Sequence, residues 1–277
     1  MLQGFADESE GKVVSLTGCV LPYPQWDAFL DDWNKTLAEA PTIKYFHMRE
    51  ARALEGEFKG FTTTMRDMKL IRLVSVVLQH NPQVLTAWLV KEDYLAIVGR
   101  PAQAWEASQV YLPCFTLLLY MGAAQSARRQ DKLPIDFVFD KKGDLERVAL
   151  LWYPETLKAA DENLRPYFGA TPIFRDDMDV IPLQIADLVG WHIHRKLEIP
   201  GKDIERFATQ RLDDLQLWEQ HLSPVELREL SAQFLEITEG NPLTPLMSLK
   251  PSKRRKEVAK LKRRFKRRIE SLYDQGK

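Results

Sequence analysis

Ile135-Asp136-Phe137-Val138-Phe139-Asp140 is the stretch from which the fold is read. It stands between Pro134 and the turn-forming Lys141-Lys142-Gly143-Asp144, which predicts a strand. A period of two sends Phe137 and Phe139 to one face and Asp136, Val138 and Asp140 to the other. Upstream, Leu2-Gln3-Gly4-Phe5-Ala6-Asp7 and the β-branched run 13–21 flank Ser9-Glu10-Gly11. These predict an antiparallel hairpin whose first strand ends at Asp7. Further strands are expected at 43–47, 84–90 and 171–174. Helical spacing marks 26–40 (Trp26, Phe29, Leu30, Trp33, Leu37), opened by Pro24 and closed by Pro41. It also marks 65–79, with Met68, Ile71, Leu73 and Val76 inward, and 101–129, as one helix or two joined near Pro113. Helices at 153–164, 182–197 and 224–238 complete the pattern. A hairpin first, then strands separated by helices, gives an α/β fold with a mixed sheet.

Of 277 residues, 45% are hydrophobic and 28% charged, with 13 Gly and 16 Pro. That balance excludes a disordered or collagenous chain. At ~150 residues per domain the length suits one elaborated domain or one domain with an appendage. Cys19 and Cys114 stand far apart in apolar stretches, so a Cys-based zinc site is excluded and a reducing compartment is expected. The start, 1–12, is acidic and lacks the apolar run of a secretory signal. The most apolar stretch, 111–124, is shorter than the ~20 residues of a membrane span. A cytoplasmic protein that does not enter membranes is the expectation.

The zero net charge conceals a split. Of 39 basic and 39 acidic residues, 13 and three fall in 250–277, leaving 26 and 36 in 1–249. Within the tail, Val258, Leu261, Phe265, Ile269 and Leu272 follow at helical spacing. Among its cations are Arg254, Arg255, Lys260, Arg263, Arg264, Arg267 and Arg268. Gly240-Asn241-Pro242, Pro245 and Pro251 interrupt regular structure before it. The expected organisation is therefore a domain over 1–200, a helical extension over 201–239, a linker at 240–251 and a basic amphipathic helix at 252–277. That helix suits a nucleic-acid grip, because phosphate neutralisation releases counterions. Docking on the acidic body or a second subunit, and an anionic membrane surface, are its other two readings.

No phosphate-binding glycine loop, nucleophile elbow or His-Glu-x-x-His motif occurs. His192 and His194, two apart on an expected helix, do not face one ion together. Three acids stand out instead. Asp7 and Asp140 end strands, and Asp187 lies in Pro182-Leu183-Gln184-Ile185-Ala186-Asp187-Leu188, apolar nearly all round. An ionised carboxylate there is costly unless paired or bound to a cation. Gln184, Asp187, Trp191 and His194 share one stripe, so Gln184 and His194 are expected to support the acid, and Gly190 to admit a close neighbour. Carboxylates from two strand ends and one helix suit hard Mg²⁺ or Mn²⁺. Two such ions about 4 Å apart clamp the attacking water and leaving oxygen of phosphoryl transfer.

Phe5-Ala6-Asp7-Glu8-Ser9, Phe137-Val138-Phe139-Asp140 and the Gln184-Ile185-Ala186-Asp187-Leu188 block, in this order and separation, resemble the DUF3800 family over roughly 1–197. That resemblance implies a ribonuclease H-like mixed sheet flanked by helices, in a superfamily that includes nucleases, resolvases and transposases. It implies Asp7, Asp140 and Asp187 as metal-binding acids, with Glu8 assisting. Phe46-His47-Met48-Arg49-Glu50 is similar to a His-containing block in part of the family, which adds His47 and Glu50 as further catalytic candidates. The family commonly has Gly directly after Asp-Glu-Ser, whereas here Glu10 precedes Gly11.

The expected function is a divalent-metal-dependent nuclease acting on DNA or RNA, with His47 moving a proton and the tail holding the polyanion. The alternative is a non-catalytic nucleic-acid-binding or assembly component of a phage-defence or mobile-element system. In the assembly case the tail helix would join a second copy or another protein.

Overall fold

The computed structural model describes residues 1–98, 108–141, 145–199 and 208–237. Six strands form one mixed sheet: β1 (Leu2–Glu10), β2 (Val13–Pro22), β3 (Gln83–Val90), β4 (Ile135–Asp140), β5 (Ile173–Arg175) and β6 (Leu217–Leu222), in the order β5-β4-β1-β2-β3-β6. The hairpin β1–β2 and the pair β2–β3 are antiparallel, whereas β4 lies parallel to β1, β5 to β4 and β6 to β3. The eight described helices are α1 (Tyr23–Ala38), α2 (Met48–Ala53), α3 (Thr63–His80), α4 (Lys91–Val98), α5 (Leu112–Arg128), α6 (Leu145–Ala159), α7 (Ile181–Glu198) and α8 (Pro224–Ile237).

Alternation along the strands divides the core. Leu2, Ala6, Phe137 and Phe139 pack with α4, α5, α6 and α8 on one face. Phe5, Cys19, Val84 and Val138 pack with α1, α2, α3 and α7 on the other. The fold is thus α/β, a six-stranded mixed sheet between two helical layers. Among the described residues no helix is long and apolar enough to cross a membrane.

Several sequence expectations are corrected. The first strand does not end at Asp7 but runs to Glu10, paired with β2 throughout. Residues 43–47 form no strand. The amide of Lys44 donates to the Glu57 carboxylate and that of Phe46 to the Gln184 side chain, so these donors serve side chains rather than a ladder. In α3 Leu73 and Val76 are buried as expected, together with Leu70, Val74 and Val77, while Met68 and Ile71 are exposed. Lys69 is buried as well, because its Nζ donates to the carbonyls of Thr36, Leu37 and Glu39 and caps the end of α1.

The helix expected at 153–164 lies at Leu145–Ala159 and carries Pro154 inside it. After it, Asp161 accepts from the amide of Asn163 in a local turn. The expected strand 171–174 is Ile173–Arg175. Of 101–129, the described part holds one helix, Leu112–Arg128, after a 3₁₀ turn at Ser108–Tyr111. The segment 201–239, expected to be helical, contributes edge strand β6 before α8. The linker 240–251 and the basic helix 252–277, with Arg254, Arg255, Lys260, Arg263, Arg264, Arg267 and Arg268, lie outside the described residues.

Candidate functional site

The parallel pair β1–β4 sets the site. Its paired register ends at Ala6 opposite Phe139, so Asp7 and Asp140 are each the next residue on neighbouring strands. Both point to the α7 side, in phase with Phe5 and Val138 of that core. β4 stops at Asp140 while β1 continues to Glu10, and Glu8 lies on the opposite face of β1. Asp7, Glu8 and Asp140 each offer a carboxylate oxygen, and these oxygens all lie within 4.8 Å of one another. Chain connections leave this pair in opposite directions, β1 towards β2 and β4 towards β5. In open α/β sheets the crevice beyond the carboxyl ends at such a point is where ligands bind.

Asp187 comes from above, on α7. α7 packs on β2 beside it, where a Cβ at Gly190 would meet Thr17 Cβ at 3.4 Å, an ordinary contact distance. Asp187 Oδ2 accepts from the amide of Met48 at 2.6 Å, and His47 Nδ1 lies 3.8 Å away. The imidazole of His47 caps α2, Nδ1 accepting from the amide of Arg49 at 3.2 Å. In the neutral ring this leaves the proton on Nε2.

Gln184, one turn before Asp187, binds the surroundings together and is 2% exposed. Its Oε1 accepts from Trp33 Nε1 at 3.3 Å and from the amide of Phe46 at 3.1 Å, while Nε2 donates to the carbonyl of Asp177 at 3.2 Å. One side chain thus ties α1, the His47 segment and the Asp177 loop to the helix that carries Asp187.

The charges strain against one another. Burial, then the carboxylates of Glu8, Asp187 and Asp140, push the Asp7 carboxyl well above its ordinary range. Burial also raises Asp187, against the opposing pull of His47 and the Met48 amide, with Asp140 adding to the rise. Asp177 is pushed up to about 6, by burial first and Asp140 second. Asp177 is thus a further acid facing the site, and sequence reading missed it. It lies in Arg175-Asp176-Asp177-Met178-Asp179, a polar run without periodicity that reads as a connection.

Two expected residues fall elsewhere. The carboxylate of Glu50 accepts from Tyr45 Oη at 2.9 Å and from the amide of Glu57 at 3.0 Å, bracing the 45–57 loop. Gly56 is required there, because at φ +50° a Cβ would meet Glu50 Oε2 at 2.0 Å. His194 binds Ser15 Oγ through Nδ1 at 3.1 Å, two turns along α7 from Asp187. Glu198 accepts from the amide of Lys12 at 2.5 Å and holds the β1–β2 turn against α7.

The donor set is oxygen only, partly buried and mutually repelling. Such a set suits a hard divalent cation, which supplies the missing countercharge. No protein-family model, curated protein or solved structure matches this chain.

Proposed function

We propose that this protein is a divalent-metal-dependent nuclease, hydrolysing phosphodiester bonds of DNA or RNA at the acids that close the β1–β4 crevice. The observation that carries the reading is the convergence of Asp7, Glu8 and Asp140 within 4.8 Å. Asp187 adds a fourth carboxylate from α7. The short motifs shared with the DUF3800 family support the same reading. So does a sheet in which an antiparallel hairpin is extended by parallel strands, which we read as ribonuclease H-like.

In this mechanism Asp7, Glu8, Asp140 and Asp187 would hold Mg²⁺ or Mn²⁺. When bound, the metal supplies Lewis-acid stabilisation of phosphoryl oxygens and lowers the pKa of water. Asp187 is kept in place by the Met48 amide and orients its second oxygen. His47 Nε2 carries the proton that passes to the leaving oxygen. Burial of the acids excludes competing water and strengthens each interaction with developing charge. The basic segment 250–277 holds the polyanion, and its 13 cations make that hold steeply salt-dependent.

The test is cleavage of labelled DNA and RNA, single and double stranded, in EDTA, Mg²⁺ and Mn²⁺. Wild type is compared with Asp187→Asn and with a chain ending at 249. Cutting that requires metal, falls at least ~100-fold in Asp187→Asn and loses its salt-steep substrate affinity in the shortened chain is expected. Metal-independent cutting, or an unimpaired Asp187→Asn, would contradict the reading. Salt-sensitive binding without cutting in any metal would favour the non-catalytic nucleic-acid-binding component instead.

A further inference from the structure

We infer that Trp191 and Arg52 form a stacking platform for an unpaired base beside the acids, making single-stranded nucleic acid the substrate class. The inference rests on the nuclease reading for its placement of the scissile phosphate. Trp191 follows Asp187 by four residues on α7, so its indole stands about one helical turn from the acid. It is half-buried, packed partly against the core on the α7 side. Arg52, exposed on α2, places its guanidinium carbon 5.2 Å from the centroid of that ring.

The second described cation–π pair shows what is particular here. Arg128 lies over Trp218 at 4.6 Å, but its Nε and Nη2 are buried. Arg52, by contrast, is exposed, and Trp191 is half-buried. The Arg52–Trp191 pair also belongs to the site's own framework, because α2 opens on His47 and is pinned to Asp187 through the Met48 amide.

Charge points the same way. Arg49, also exposed, lies one turn before Arg52 on α2. Across the acids, exposed Arg175 pairs in register with Asp140, and exposed Lys141 follows it. Guanidinium groups and an indole thus rim the acids in a region, 1–249, whose acids outnumber its bases by 36 to 26. A planar guanidinium held over an aromatic ring offers a surface on which a base stacks. Bases within a duplex are already stacked on one another, so only an unpaired base gains from it.

The test uses the full chain in Ca²⁺, with fluorescence anisotropy of labelled single-stranded DNA, single-stranded RNA and duplex DNA of one sequence. Cleavage in Mn²⁺ is followed in parallel. Wild type is compared with Arg52→Ala, Arg52→Lys and Trp191→Leu, with thermal melting as a folding check. The platform predicts tighter binding of a single strand than of duplex, and a roughly tenfold loss of that preference in all three variants. Arg52→Lys keeps the charge but not the plane, so its restoring the wild-type preference would overturn stacking. Equal weakening on both strand types in Arg52→Lys, or no effect in the Arg52 variants, would overturn it as well. A wild type that cuts while its variants keep their preference refutes the platform alone. A wild type that binds with the predicted preference but never cuts refutes the nuclease reading and leaves the platform standing.

Discussion

Asp7 is the residue on which the opposing terms meet. Its carboxylate is held among Glu8, Asp140 and Asp187, and burial pushes it well above the ordinary range. An acid raised in the folded state holds its proton there after the unfolded chain has released it. Stability of the metal-free protein therefore falls as pH climbs from about 4, the unfolded value, through the raised folded value. Asp177, pushed up to about 6, acts in the same direction. His192 and His194 are lowered by burial and act in the opposite sense near neutrality, so the informative quantity is a difference between variants. In EDTA, Asp7→Asn is expected to melt ~2–4 °C above wild type at pH 7.5 and close to it at pH 4. Differential scanning calorimetry across that range checks this. An Asn variant that melts lower at pH 7.5 would mean that the ionised Asp7 is satisfied within the protein.

At the scale of elements, α7 organises the site. It carries Asp187 to the Met48 amide, and through Gln184 fixes two loops that have no regular structure of their own. Gln184→Leu keeps the bulk but leaves the Phe46 amide and Trp33 Nε1 buried without their acceptor, a cost of ~1–3 kcal/mol each. The expected outcome is lower stability together with faster hydrogen exchange at the amides of 44–48, while β2 and β3 keep their protection. Exchange that rises uniformly, or not at all, would show that Gln184 does not position the His47 segment. Part of this was legible in sequence. The alternation in 135–140 placed Asp140, and an acid inside an apolar helix singled out Asp187. The loop over 43–47 was not legible, because buried Ile43 and Phe46 imitate a strand and the side chains that take its amide hydrogens lie far away in sequence. Nor was β6, whose Leu-Trp-Glu-Gln-His-Leu lacks β-branching and becomes a strand by pairing with β3. Glu50 entered as a catalytic candidate through the resemblance of the 46–50 block, and its oxygens brace a loop.

For the whole molecule, a three-layer fold exposes one end of its parallel strands and gathers acids there, with exposed Arg49, Arg52, Lys141 and Arg175 around them. The acids repel one another in a fold that must be maintained, and a bound cation would relieve that repulsion. Cation binding at these acids can be measured without knowing the substrate. The most direct measurement is titration of the full chain with Mn²⁺ at pH 7.5, counting free Mn²⁺ by electron paramagnetic resonance, for wild type beside Asp140→Asn. The account predicts saturable binding of one or two Mn²⁺ per chain in wild type, weakened at least ~10-fold in Asp140→Asn with its melting transition intact. Binding of equal strength in the two proteins, or no saturable binding in wild type, would contradict it.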